Sequence, residues 1–138
     1  MNIFRQNEKI DNIEVISNIK RVLKEVSGLN VYYEQIERDN KDKNVISFIC
    51  DIRSINDFQF QLDLEIHIFS NCGSDILELE QITNNLYKFF YKANFNLSNN
   101  REMTLRVQSI DRLNIPTNEI NETDLRRRDL NIVGILNY

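Results

Sequence analysis

Phe58-Gln59-Phe60-Gln61-Leu62-Asp63-Leu64-Glu65-Ile66-His67-Ile68 decides the fold, because apolar and polar residues alternate across it without a break. On an extended chain, side chains two apart share a face. Phe58, Phe60, Leu62, Leu64, Ile66 and Ile68 are therefore expected in the core. Gln59, Gln61, Asp63, Glu65 and His67 belong to a face that is wet or at an interface. Burying six such apolar side chains contributes roughly 10 kcal/mol gross, at ~1.5–3 each, before entropy is subtracted. This strand is the expected spine of a sheet.

Upstream, Val31 to Glu37 and Val45 to Ile52 are rich in strand formers and flank the polar stretch Asp39 to Asn44. That pattern predicts an antiparallel hairpin whose tip carries Lys41 and Lys43. Before it, Ile13, Ile16, Ile19, Leu23 and Val26 recur at helical spacing, predicting a helix over Asn12 to Ser27 with those residues on its buried face. Asp11 and Glu14 form a capping-box pair, and Gly28 stands where a left-handed cap is wanted.

Downstream, the loop Asn71 to Ser74 leads into a second helix over Asp75 to Lys92, capped by Asp75 and Glu78. Its buried face is expected to carry Ile76, Leu79, Ile82, Thr83, Leu86 and Phe90. Tyr87 and Tyr91 lie off that stripe, which leaves either a partner-facing surface or a thicker core. Asn94 to Asn100 reads as a polar turn, Met103 to Arg112 as a strand, and Ile115 to Thr123 as an acidic loop carrying Glu119 and Glu122. Leu130, Ile132, Gly134, Leu136 and Tyr138 alternate in a last strand. The expected order is α-β-β-β-α-β-β, an α+β domain over 1–138. It has a mostly antiparallel sheet of about five strands with both helices on one face.

Composition narrows the function classes. The 138 residues suit one domain, with 41% hydrophobic and 28% charged residues able to bury a core. Apolar runs fall short of the roughly 20 residues of a membrane helix. The start, Met1 to Asn7, lacks a signal-peptide core, so a cytoplasmic location is expected. A net charge of -4 argues against a domain whose main work is wrapping nucleic acid. Two cysteines, Cys50 and Cys72, are too few for a disulfide framework.

No motif carries chemistry. Asp63, Glu65 and His67 share a strand face, yet no second histidine or cysteine pair completes a metal-ligand set. Cys50 sits in an apolar strand, whereas Cys72 precedes a helix and is the more reactive thiol. With 3 glycines there is no phosphate-cradling loop. Neither enzymatic activity nor a cofactor is expected.

The arginines are more informative. Of ten, six lie after residue 100: Arg101, Arg106, Arg112, Arg126, Arg127 and Arg128, with no lysine among them. Arginine's planar fork suits interfaces. Asp111, Glu119, Glu122, Asp124 and Asp129 nearly balance this charge, which suggests salt-linked contacts between protein surfaces. The alternative is a solvated strand end that pairs within the monomer.

The Phe58–Ile68 strand, the loop after it, the helix opening Asp75-Ile76-Leu77-Glu78-Leu79-Glu80-Gln81-Ile82 and the closing strand Leu130 to Tyr138 follow one another in a telling order. Together with the N-terminal helix they resemble the small tail terminator (tail completion) proteins of bacteriophages and phage-tail-like particles. The likeness spans nearly the whole chain and rests on pattern and size. It implies a ring, usually a hexamer, that caps the last ring of the tail tube and stops its growth. Implied partners are further copies of the chain, the tube protein, and sheath or neck proteins, with DNA at most passing through. Candidate contact residues are Arg126, Arg127, Arg128, Lys41, Lys43, Glu119 and Glu122. Neck proteins of the head–tail joint share this layout, and a peptide- or ligand-binding module is the reading from another class.

Overall fold

In a computed structural model, residues 12–36, 42–70, 76–97, 101–115 and 125–137 are described. The elements are α1 (Asn12–Ser27), β1 (Val31–Tyr33), β2 (Asn44–Asn56), β3 (Gln59–Ser70), α2 (Ile76–Phe90), β4 (Asn94–Leu97), β5 (Arg101–Ile115) and β6 (Leu125–Asn137). They form an α+β fold with one six-stranded sheet in the order β1-β2-β3-β6-β5-β4. Every neighbouring pair is antiparallel except β1 and β2.

β3 lies at the middle of this sheet, paired along its length with β2 on one side and β6 on the other. Its even-numbered residues Leu62, Leu64, Ile66 and Ile68 are buried, at most 1% exposed. They join one core cluster with Ile46 and Phe48 of β2, Leu130, Ile132 and Leu136 of β6, and Met103 and Leu105 of β5. Val15, Ile19 and Leu23 of α1 and Leu79, Ile82, Leu86 and Phe90 of α2 pack into the same cluster, so both helices cover one face. Gly134 on β6 sits in this layer because the space is taken. A Cβ there would stand 2.6 Å from both Leu105 Cδ2 and Met103 Sδ.

Local rules account for the ends of both helices. Gly28 adopts φ 70° and its N–H donates to Lys24 O at 2.8 Å, closing α1 with a left-handed cap. Ser27 Oγ donates to Leu23 O and accepts from Leu29 N–H, which steers the chain into β1. α2 ends with Lys92 at φ 55°, a lysine holding the position that glycine usually takes. Asp11 and Asp75, the expected N-caps, lie outside the described residues, as does Cys72.

Four expectations need correction. First, β1 and β2 pair in parallel, Val31 beside Ile46 and Tyr33 beside Phe48. The chain leaves β1 through Glu34 at φ 65°, whose N–H donates to Phe48 O, and travels back before β2 begins. A tight hairpin would have forced the antiparallel pair, and a ten-residue connection does not. Second, Asn94-Phe95-Asn96-Leu97 is not a turn but a sixth strand on β5, its alternation masked by the asparagines. Third, Ile13 is 75% exposed and Val15 takes the buried place, which rotates the α1 stripe toward Val15, Ile19 and Leu23; Ile76 of α2 is likewise exposed. Fourth, Phe58 lies in the β2–β3 turn, 75% exposed, so the apolar row of β3 starts at Phe60.

Urea unfolding checks this placement. Leu64→Ala is expected to cost about 2–5 kcal/mol through the cavity it leaves, and Phe58→Ala to stay within about 0.5 kcal/mol. Gly134→Ala is expected to cost about 1–2 kcal/mol, because flexible ends of Leu105 and Met103 must yield.

Candidate functional site

The face of the sheet away from the helices is built from residues that β-register brings into rows. Ser47, His67, Asp129 and Asp111 form one row, and Ile49, Glu65, Asn131 and Ser109 the next. A third row runs Asp51, Asp63, Val133, Arg106, and a fourth Arg53, Gln61, Ile135, Thr104. All four rows carry ionisable side chains; Ile49 adds an apolar residue to the second, and Val133 and Ile135 add one to each of the last two.

Asp129 is the centre of an ion-pair cluster in the first row. Its carboxylate accepts from Arg127 through both oxygens, Nε to Oδ1 and Nη2 to Oδ2, each at 2.7 Å. His67 Nδ1 lies 2.8 Å from the same Oδ1, and His67 Nε2 is 3.6 Å from Glu65 Oε2. The Arg127 guanidinium also stands over the Phe69 ring, 5.7 Å from its centroid. Such a bidentate pair fixes geometry as well as charge. Only about a tenth of the Asp129 and His67 side chains remains exposed (10% and 12%), so this pair is shielded, while Asp111 and Glu65 beside it are exposed as the alternation of the sequence allows. Burial alone would push the Asp129 carboxyl up, but the hydrogen bonds from Arg127 and His67 outweigh it and hold the carboxyl below its ordinary 3.8.

Arg128 points the other way, toward the helices. It is 4% exposed, and its Nε donates to Glu80 Oε1 of α2 at 2.8 Å. Arg112 reaches the second oxygen of Glu80 at 3.5 Å. The hydrogen bond from Arg128 is the main reason that the Glu80 carboxyl sits below its ordinary range, against the opposing effect of burial. This clamp ties α2 to β5 and β6.

The candidate contact residues therefore separate. Arg127 is engaged with Asp129 on the helix-free face, Arg128 is held inside the monomer, and Arg126 is half-buried at the start of β6. Lys43 lies 3.5 Å from Glu78 of α2, beside the helix rather than on a hairpin tip. Lys41, Glu119 and Glu122 lie outside the described residues. Tyr87 packs against the core and Tyr91 is 52% exposed with its ring 5.6 Å from that of Tyr87. Asp129 and Glu80 organise both clusters and were not legible as such. Neither residue's partner is near it in sequence apart from Arg127.

At the other end of the face, Thr104, Arg106, Gln108, Val133 and Ile135 line an open groove. Among the described residues no group of three or more His, Cys, Asp or Glu side chains is placed to hold a metal. Burial raises the Cys50 thiol to about 12, with help from Asp51, which leaves it protonated and unreactive at neutral pH. No described helix is long and apolar enough to cross a membrane.

No family model matches this chain. No curated protein matches it in sequence. Among solved structures, one chain superimposes with a TM-score of 0.56, covering 91% of this chain and 92% of its own length at 10% identity. At that identity the likeness is one of fold alone.

The Asp129 cluster makes stability depend on pH in a defined direction. Its folded carboxyl ionises more readily than the unfolded one, so its contribution is complete above the ordinary 3.8 and is lost as pH falls through the lower folded value. Asp129→Asn is expected to cost about 1.5–3 kcal/mol near neutral pH. The deficit relative to the unaltered protein should shrink in acid below about pH 4, as urea unfolding at both pH values would show.

Proposed function

We propose that the chain forms a ring, hexameric by the resemblance, that caps the tail tube of a phage or phage-tail-like particle and ends its assembly. The observation that supports this reading best is the distribution of surface. Both helices lie on one side of the sheet, so among the described residues the other face of the six strands is not covered by a helix and can meet other proteins. On that face two ion pairs, Arg127 with Asp129 and Arg53 with Asp63, stand beside the further charges Asp51, Arg106 and Asp111, a mixed surface suited to protein contacts. A terminator must match the repeating end of the tube on one side and offer no such end on the other. Interface patches on a small sheet domain meet that need without an active site.

The implied partners are further copies of the chain, the tube protein, and sheath or neck proteins, with assembly in the cytoplasm and a final position at the collar end of the tail. Any DNA passes through the ring without being wrapped, in keeping with the net charge of -4.

Deletion of the gene from the strain that makes the particle, followed by negative-stain imaging, tests the reading. Tails of broad and excessive length are expected. Tails of normal length that fail to join heads would transfer the protein to the neck. Particles that assemble unchanged would overturn a structural role and direct attention to the groove around Arg106 and Val133.

A further inference from the structure

Each edge of the sheet is only partly covered among the described residues, and the two are covered at opposite ends. β1 flanks β2 at Ile46–Phe48. Ile46 N–H donates to Asn30 O, Glu34 N–H to Phe48 O, and Tyr33 Oη to Cys50 O, and there the cover stops. On the far edge, β4 flanks β5 at Arg101–Thr104, and Leu105 N–H donates to Ala93 O. No described strand borders Asp51–Asn56 of β2 or Arg106–Ile115 of β5 on the outer side.

Register shows that the two gaps are complementary. Asn94 of β4 stands in one cross-sheet row with Thr104, Ile135, Gln61 and Arg53, level with the gap on β2. Tyr33 of β1 stands in a row with Phe48, Ile66, Leu130 and Ile110, level with the gap on β5. Strand β4 has four residues, matching the stretch of β2 from Asp51 to the bulge at Ser54/Asn56, and β1 has three, which the stretch of β5 beyond the bulge at Val107/Ser109 accommodates.

The side chains agree with the backbone. Ile52 on β2 and Val107 and Ile110 on β5 are half-buried against the core, so its apolar layer runs past the last paired strand at both edges. On the opposite face Ile55 and Leu113 are 41% exposed. Natural sheet edges are blunted with charged side chains, especially lysine, with proline and with bulges. Asp51–Asn56 and Arg106–Ile115 each hold a bulge and charged residues but neither lysine nor proline.

We propose that a second copy of this chain docks edge to edge through a stepped joint. β4 of one copy enters the gap on β2 of the next, and that neighbour's β1 enters the gap on β5 of the first. The new β4–β2 pair is parallel and the new β1–β5 pair antiparallel, as the strand directions within the sheet require. Main-chain hydrogen bonds supply the contact, as in strand addition to a sheet edge. The joint is heterologous, so every copy offers both halves and the contact repeats around a closed ring or along a row. It stands on strand geometry, and it supplies the lateral contact that the tube-capping reading needs.

Disulfide trapping in a Cys72→Ser background tests it. Arg53→Cys and Asn94→Cys, which the cross-sheet row places side by side on one face, are made as separate proteins and oxidised alone and mixed; Asp111→Cys and Tyr32→Cys, level in the next such row of the joint, probe its other half. Thermal unfolding of each variant shows that it is folded. The expected result is linked dimer in each mixture and none in any variant alone, with a ladder of oligomers when Arg53→Cys and Asn94→Cys share one chain. Mixtures that link no more than the separate variants, or separate variants that link to themselves, would overturn the joint. Overlong tails on gene deletion without trapping would leave tube capping standing and this joint refuted. Trapping with unchanged tails would give the reverse.

Discussion

Everything in this sheet depends on the register of β3. The strand is hydrogen-bonded on both sides and buries every second residue, so a slip of one position would carry Leu62, Leu64, Ile66 and Ile68 to the opposite face. Because that exchange is prohibitive, β2 and β6 are locked to β3, and β5 is locked through β6. The same constraint sets His67 beside Asp129, Phe69 beside Arg127 and Gly134 against the crowded ends of Met103 and Leu105. The ionic cluster on one face and the packed layer on the other are two consequences of a single alternation.

Two charge clusters then secure the sheet's far end from opposite sides. Glu80 reaches down from α2 to Arg128 and Arg112, and Asp129 gathers Arg127 and His67 on the other face. Adjacent arginines on β6 thus serve opposite faces, since neighbours on a strand point apart. A run of three arginines resembles one basic patch in sequence, and the pleat divides it.

The sequence made the spine, both helices, the last strand and the α+β class legible, because each rests on a periodicity that local burial enforces. It misled where local pattern and long-range pairing part. The polar stretch before β2 looked like a hairpin turn, yet β1 returns in parallel, a choice that only the position of Val31 beside Ile46 reveals. The asparagines of β4 concealed a strand whose existence depends on β5. Phe58 continued the alternation by one residue into a turn, and Ile13 fitted the helical spacing but is exposed, with Val15 taking the buried place. Arg127 and Arg128 were legible as candidates, and their separate partners, Asp129 and Glu80, became visible only through cross-strand rows.

The proposed tube-capping role draws on three features of the described residues: paired charges, a sheet face without a helix over it, and edges covered at opposite ends. Position in the particle tests that role most directly. A short epitope tag on the protein, followed by gold labelling of purified particles, should place label at one end of the tail, at the collar. Label along the tube, at the opposite end, or nowhere on intact particles would contradict the account.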